Sequence, residues 1–319
     1  MSRKKHYSVA LIIGWNLLSI SVMVLVFCMY SVFTHNTIRD DNNTFAKKVK
    51  RVFQEQEEVF ITKVQIVDYL IKRKSDNKSL DLTKEFGFNF SRVNLDNTDL
   101  QMINIRGVNL SRAKLNLVDL SNSDMTGADF SRASMRGVKL RNSIINRSIF
   151  HRVTLDYGTL RGASLVSSDF SETSFKGADL QGADFSNARL KNIDFSNANL
   201  RGAQFSGAIL HNVKLRRADC EGANFYNASI VDSDLHRVRF HNAKLVDASI
   251  TGSNLERINF SNTDLRGVRF SNNKTSNIKM NKAKIDYVEG LSFSSYEVAD
   301  SDVSFVKRMN LNEKINKNR

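Results

Sequence analysis

The segment DLQGADFSNARLKNIDFSNANLRGAQF, residues 179–205, carries a large apolar residue at every fifth position. These positions are Leu180, Phe185, Leu190, Phe195, Leu200 and Phe205. An amphipathic helix repeats its apolar residues every three or four positions and a half-buried strand every two, so neither element explains a period of five. A fixed period sustained over a long segment is typical of a repeat architecture.

The period of five continues without a change of phase from residue 90 to residue 270. All 37 of these positions hold Leu, Phe, Ile or Met, except for Cys220. Two residues before them the side chain is small or β-branched, with 15 alanines and a single large exception, Phe88. Two residues after them stand 11 glycines and 11 asparagines. Gly and Asn tolerate a positive φ, which the third residue of a type II turn requires, so the sequence predicts one turn in every quintet.

A chain that turns every few residues and points one large and one small side chain inward closes into a coil with a filled interior. If four quintets complete one coil, the coils stack at the usual strand spacing, and the 37 quintets form roughly nine coils and a rod about 43 Å long. Proline is absent from the whole chain, which suits a fold that needs nearly every backbone N–H as a donor.

The first 33 residues predict a membrane anchor. Residues 1–8 form a basic tail, and residues 9–33, VALIIGWNLLSISVMVLVFCMYSVF, carry no charge over 25 positions, enough to cross a bilayer as a helix. The length of this segment, and Phe27 before Cys28, argue against a cleaved signal peptide. Basic residues flank both ends of this segment, so the positive-inside rule gives no clear orientation. We expect a single-pass protein of a bacterial inner membrane, with the repeat domain on the non-cytoplasmic side.

Two further segments flank the repeats. Within residues 34–79, apolar residues spaced by three and four between positions 44 and 74 predict an amphipathic helix, followed by a hinge. We interpret this helix as a stalk or a cap on the repeat domain; the alternative is a coiled coil that joins copies of the chain through residues 44–74. The repeat pattern decays after Phe270 and ends at Gly290. Residues 291–319 are expected to form a C-terminal cap, at about 295–309, and a basic tail.

The repeat itself resembles that of a known family. Residues 178–182 (ADLQG), 183–187 (ADFSN) and 198–202 (ANLRG) follow the pattern A(D/N)LXX of the pentapeptide-repeat proteins. The resemblance implies an all-β solenoid, a right-handed quadrilateral β-helix with four quintets per coil, over residues 80–290. It also implies binding or mimicry, with no shared catalytic residues. One branch of the family protects DNA gyrase by imitating duplex DNA, but the net charge of +8 over residues 88–290 argues against that role here.

The residue types that carry chemistry do not form a site. Both cysteines, Cys28 and Cys220, stand where burial is expected. The four histidines of the repeats each follow a core residue and are expected to point outward, too far apart to share a metal. Most Asp residues occupy one repeated position, which the resemblance identifies as a requirement of the repeat. We therefore predict no catalytic residue, no metal and no cofactor.

Arranging the chain on 20-residue coils aligns several arginines. One series ends at Glu172, and the other lies at another corner further along the chain. The two series are Arg92, Arg112, Arg132 and Arg152, and Arg217, Arg237 and Arg257. Like charges about 4.8 Å apart repel one another unless acids or a ligand offset them. Two interpretations stay open at this point: solvated copies of a duplicated residue that nearby Asp side chains neutralise, or an interaction stripe for an anionic partner.

The sequence thus predicts a non-enzymatic, membrane-anchored pentapeptide-repeat protein that presents a rigid interaction or scaffold surface. The expected partners are the membrane and a protein or anionic polymer. The alternatives are binding of an anionic polymer or nucleic acid through the arginines, for which nucleic acid is the weaker candidate because no aromatic residues interleave with them, and a secreted effector that acts at host membranes.

Overall fold

The computed structural model of the protein describes residues 65–66, 69, 80–290 and 296–297. All of these residues fall within one of two compact units into which the chain divides, Val59–Arg319. The elements are, in chain order, β1 (Leu80–Asp81), α1 (Leu82–Phe86), β2 (Ile103–Asn104), β3 (Ile149–His151), β4 (Asp169–Ser171), β5 (Arg189–Lys191), β6 (Ile209–His211), β7 (Ser229–Val231), β8 (Ser249–Thr251), β9 (Arg269–Ser271), β10 (Ile278–Lys279) and β11 (Tyr296–Glu297).

The repeats form a parallel solenoid with four sides. Between residues 89 and 289, every rung of its ladders joins residues 20 positions apart, as in Asn89 to Asn109 and Asn94 to Lys114. Strands β3–β9 form a seven-stranded parallel sheet in which Phe150 pairs with Phe170 and Phe170 with Leu190. Four such ladders run side by side, so four quintets complete one coil. The ladder through position 89 reaches position 289 in ten steps of 20 residues.

We name the four sides face A, face B, face C and face D, after the ladders that include residues 109, 114, 119 and 124. Each face consists of the ladder residue, the inward residue after it and the outward residue that follows, as in residues 114–116 for face B. The turn residue that comes next marks an edge. Edge A/B holds positions 92 to 272 in steps of 20, and edge B/C holds positions 97 to 277 in the same steps.

The core is the column of large residues that the sequence predicts. All 37 positions from Phe90 to Phe270 are buried. Phenylalanines stack along the axis, with ring centroids 4.9 Å apart for Phe130 and Phe150 and 4.5 Å apart for Phe150 and Phe170. Each buried side chain of this size contributes about 1.5–3 kcal/mol. The small column beside it is also buried, except that Phe88 is 61% exposed at the start of the first coil and Thr98 is half-buried.

The predicted turns are confirmed. All 37 residues that follow the core positions by two have a positive φ, from 51° at Asp232 to 74° at Gly127. In many quintets the N–H three residues after the core residue donates to the core residue's own carbonyl, as Ala113 does to Leu110 at 3.0 Å. This bond and the positive φ at the third residue are the features of a type II turn.

The repeated acidic position has a backbone role. The side-chain oxygen of the ladder residue accepts the N–H two residues later, at 2.8 Å from Ser131 to Asp129 and 2.9 Å from Ser196 to Asp194. Asn does the same, as Asn109 accepts from Ser111 at 3.0 Å. Asp and Asn recur here because a short acceptor satisfies the N–H at the start of the turn.

Edge A/B changes its turn along the solenoid. In the first three coils the turn is closed by a backbone bond from Val93, Ala113 or Ala133 to the carbonyl three residues earlier. The next carbonyl of the series, that of Phe150, accepts the buried hydroxyl of Thr173 at 2.6 Å instead. From this point face A carries the three-residue strands β3–β9.

Other segments close the two ends of the solenoid. The first coil is three residues longer than the others, because β1 pairs Leu80 with Ile103 and α1 occupies the extra length. Ile66, which is helical, is fully buried in the same core cluster, and the Tyr69 ring packs edge-on against Phe86 at 5.6 Å. At the other end β10 pairs Ile278 with Tyr296, 18 residues later.

Several predictions lie outside the described residues. They are the basic tail at 1–8, the membrane helix at 9–33, most of the helix and hinge within 34–79, and the C-terminal segment 291–319 apart from residues 296–297. In the part of the chain that the structure describes, no helix is both long and apolar enough to cross a bilayer.

Candidate functional site

The candidate site is face B with its two edges. Arg92, Arg112, Arg132 and Arg152 lie on edge A/B in four successive coils, and Arg217, Arg237 and Arg257 lie on edge B/C in three. All seven side chains are exposed. The sequence prediction of two aligned series is in agreement with the register of the ladders. The structure adds that the two series occupy the two edges of one face, in opposite halves of the solenoid.

Each of these arginines sits at the turn position. The φ angle is 59° at Arg112, 62° at Arg132 and 60° at Arg237. A left-handed backbone costs an L-residue with a Cβ about 1–2 kcal/mol, a cost that Gly avoids and Asn reduces. Arginine is therefore a costly choice at these seven positions, whereas 22 of the 37 equivalent turns use Gly or Asn.

Six of the seven arginines lack an acidic partner in the described part of the chain. Among the acids that the structure describes, none forms a salt bridge within 4.0 Å with any of six of these arginines. The six are Arg92, Arg112, Arg132, Arg217, Arg237 and Arg257. Arg152 is the exception, because its Nε donates to Glu172 Oε2 at 2.8 Å in the next coil. This hydrogen bond lowers the pKa of Glu172 and raises that of Arg152.

The positive charge of the repeats is concentrated here. Face B and its edges carry 13 basic and 7 acidic residues, whereas the rest of residues 88–290 carries 15 basic and 13 acidic residues. The basic residues are Arg92, Arg112, Lys114, Arg132, Arg136, Arg152, Lys176, Lys214, Arg216, Arg217, Arg237, Arg257 and Lys274, and the acidic residues are Asp96, Asp156, Glu172, Asp194, Asp232, Asp234 and Glu256. Six of the eight net positive charges of the repeats thus lie on one side of the solenoid.

Two apolar side chains border the same surface. Leu117 and Tyr157 lie on edge B/C in the N-terminal half, 59% and 62% exposed. A Cβ on Gly177, in the next coil, would lie 2.9 Å from the Tyr157 ring, so this glycine leaves room for the tyrosine. The Arg136 guanidinium carbon is 5.2 Å from the centre of the Tyr157 ring. The N-terminal half of face B therefore has arginines along one edge and apolar groups along the other.

Sequence comparison identifies the repeats. A model described as a pentapeptide repeat region matches residues 148–225, and one described as pentapeptide repeats (8 copies) matches residues 87–112, 103–142, 113–152, 210–242 and 243–272. Together these matches extend over more than half of the chain. The chain belongs to the pentapeptide-repeat family.

Solved structures of other pentapeptide-repeat proteins resemble the chain. HetL, involved in heterocyst differentiation regulation in the cyanobacterium Nostoc sp. strain PCC 7120, is 22% identical, with a TM-score of 0.47 over 70% of this chain and 94% of HetL. Full-length QnrB1, a plasmid-mediated fluoroquinolone resistance protein, is 17% identical, with a TM-score of 0.25 over 56% of this chain and 96% of QnrB1. A pentapeptide-repeat protein from the Arabidopsis thaliana thylakoid lumen is 31% identical, with a TM-score of 0.17 over 35% of this chain and 67% of that protein. No protein with a curated description matches the sequence.

The four histidines in the repeats of this pentapeptide-repeat protein lie close to neighbouring side chains. His151 Nδ1 is 2.7 Å from Ser171 Oγ, and His236 Nδ1 is 3.8 Å from Glu256. Of these four, His151, His236 and His241 are half-buried and His211 is exposed. Three of the histidines are therefore more buried than their predicted outward position suggests. Among the described residues no three His, Cys, Asp or Glu side chains converge as metal ligands.

Sequence reasoning found the arginine series but missed the face to which both belong. In linear order, the excess of positive charge is spread along the chain. Sorting residues by their position within a 20-residue coil reveals this face, because residues separated by multiples of 20 lie on one ladder.

Proposed function

We propose that this protein is a non-enzymatic, membrane-anchored binding module whose pentapeptide-repeat β-helix presents face B to an anionic partner. The observation that carries the proposal is the run of arginines at positions 92, 112 and 132, aligned along one edge without a described acidic partner.

Energetics favour this interpretation over solvated copies of a duplicated residue. Each of the three arginines has a left-handed backbone and lies one coil, about 4.8 Å along the axis, from the next arginine. The neutralising Asp side chains that the alternative requires are absent among the described residues, since only the fourth member, Arg152, pairs with an acid, Glu172. An anionic partner would offset the repulsion that the fold leaves uncompensated.

The scaffold suits binding better than chemistry. Many of its Asp side chains accept the backbone N–H two residues later, as Asp184 does from Ser186 at 2.8 Å, which gives them a role in the fold. The predicted helix at residues 9–33 supports the anchor. A packed solenoid holds its edge residues at fixed spacing, so little ordering entropy is lost when they bind.

Binding to an anionic polymer tests the proposal. The full chain in neutral detergent is titrated with fluorescent polyglutamate at several salt concentrations, as wild type and as the triple variant Arg92→Gln, Arg112→Gln, Arg132→Gln. The matched control is Arg141→Gln, Arg147→Gln, Arg189→Gln, which removes three exposed arginines from other sides.

We expect the face B variant to lose at least about tenfold in affinity, or about 1.4 kcal/mol. The control should change little, and both variants should unfold at or above the temperature of the wild type. An equal loss in the two variants would show that only net charge matters and would overturn the proposal.

A further inference from the structure

On the basis of the proposed function, we infer that the anionic partner is the surface of a lipid bilayer, against which face B lies flat. The two arginine series occupy opposite edges of face B, and exposed apolar side chains accompany them.

The arrangement of the arginines fits a plane better than a line. Arg92 to Arg152 span three coil steps, about 14 Å, along edge A/B. Arg217 to Arg257 span two steps, about 10 Å, along the opposite edge of the same face and in the other half of the solenoid. A straight polymer that follows one edge meets only one series. A flat anionic surface resting on face B meets both.

Binding to a bilayer also does not require a fixed spacing between the two arginine series. Lipid phosphates rearrange laterally, so each guanidinium finds an anion without a matched spacing, and each basic residue near an anionic leaflet contributes about 1 kcal/mol. Guanidinium groups bind phosphate oxygens through paired hydrogen bonds. The six edge arginines that have no acidic partner among the described residues are thus equipped for headgroups.

The exposed apolar side chains favour a lipid surface over an acidic protein or polymer of uniform charge. Leu117 and Tyr157 project from the B/C edge, opposite Arg112 and Arg152. Tyrosine prefers the bilayer interface, where its ring contacts the acyl chains and its hydroxyl remains hydrated. Arg136, close to that ring, would meet the phosphates at the same depth.

Quenching by labelled lipid headgroups tests this orientation. The full chain, with Cys28→Ala and Cys220→Ala, is reconstituted into phosphatidylcholine vesicles with or without phosphatidylglycerol. One fluorophore is attached at Ser196→Cys on face B or at Ser186→Cys on face D. The two serines are matched, because each is half-buried and donates its N–H to the preceding Asp. Lipids with spin-labelled headgroups act as quenchers.

We expect stronger quenching at position 196 than at position 186 in vesicles that contain phosphatidylglycerol. The difference should vanish without phosphatidylglycerol, at high salt, and in the variant Arg92→Gln, Arg112→Gln, Arg132→Gln. It should persist in the control Arg141→Gln, Arg147→Gln, Arg189→Gln. Equal quenching of the two faces, or quenching at 196 that ignores phosphatidylglycerol, would overturn the inference.

The two experiments separate the two proposals. If polyglutamate binding depends on face B but quenching does not, the module serves an acidic protein or polymer and only the lipid inference fails. If neither depends on face B, the proposed function fails as well. Quenching that depends on face B without polyglutamate binding supports a partner that is lipid alone.

Discussion

Among single residues, the turn position shows which side chains suit the left-handed backbone and which are only tolerated there. The backbone there is left-handed in every quintet, and Gly or Asn satisfies it with little strain. Arg112 and Arg132 keep a costly side chain at the same φ and repel each other across adjacent coils. A residue that the fold does not favour, repeated in register, indicates selection for something other than stability.

Arg112→Asn is expected to stabilise the protein. Asn tolerates the left-handed backbone better than Arg, and the change removes two like-charge contacts along the edge. We expect the free energy of unfolding to rise by about 0.5–1 kcal/mol. Chemical denaturation of the full chain measures it. Asn122→Asp, at a turn of another edge, provides a comparison in which no gain is expected. A loss of stability in Arg112→Asn would contradict the strain argument.

Asp194 makes stability depend on acid. Partial burial raises the pKa of Asp194. The hydroxyl and N–H of Ser196 and the ammonium of Lys176 lower it by more, so the pKa lies below its ordinary value. A carboxyl with a depressed folded pKa contributes stability above its unfolded pKa. That contribution is lost as the pH falls through the folded pKa, below about pH 4.

Asp194→Asn should therefore flatten the acid limb of the stability curve. The amide oxygen still accepts the Ser196 N–H, so the turn is kept while the titrating group is removed. Denaturant midpoints between neutral pH and the acid limb measure the effect. The variant should be the less stable protein at neutral pH, and the two curves should converge at low pH. Parallel curves would show that Asp194 does not titrate differently on folding.

Among the elements, edge A/B carries a hydroxyl bridge at the point where the three-residue strands begin. Where a backbone bond closes the turn, the face holds an isolated rung, as at Asn109. Where Thr173 supplies its hydroxyl to the Phe150 carbonyl, face A carries the strands β3 and β4. The sequence pattern marks position 173 as small or β-branched and buried, but it does not show which carbonyl the hydroxyl reaches, because that atom belongs to the coil before.

Thr173→Val tests this bridge. Valine has the same shape and keeps the core filled, but it leaves the Phe150 carbonyl without its buried donor. The expected loss is about 1–3 kcal/mol of unfolding free energy. Thr159→Val, at a half-buried ladder position, serves as the matched control and should change stability far less. Similar losses in both variants would assign the effect to strand propensity rather than to the bridge.

On the scale of the whole molecule, stability depends on every coil keeping the same register. Ladders of period 20 align each core residue and each turn with its counterpart in the next coil. A repeat protein of this kind is stabilised mainly by contacts between neighbouring coils, so an error in register affects every coil after it.

Insertions after Asn197 should follow that rule. One extra residue puts all later coils out of phase and should abolish cooperative unfolding. Five extra residues keep the inward pattern but move every later turn to the next edge. Duplicating residues 178–197 adds one full coil and should leave the melting transition cooperative. Circular dichroism during heating ranks the three. Equal tolerance of the one-residue and twenty-residue insertions would contradict the stacked register.

The sequence alone determined the solenoid, its period, its core and its turns, because every quintet repeats the same local demand for one large residue, one small residue and one positive φ. It also aligned the arginines within each series. Only the tertiary structure showed that the two series flank one face, that Glu172 pairs with Arg152 while the other arginines lack a described acid, and that Leu117 and Tyr157 share that face. These relations join residues from different coils. The repeat constrains inward positions and leaves outward ones free, so side-chain contacts on the surface follow from stacking in space rather than from a local pattern.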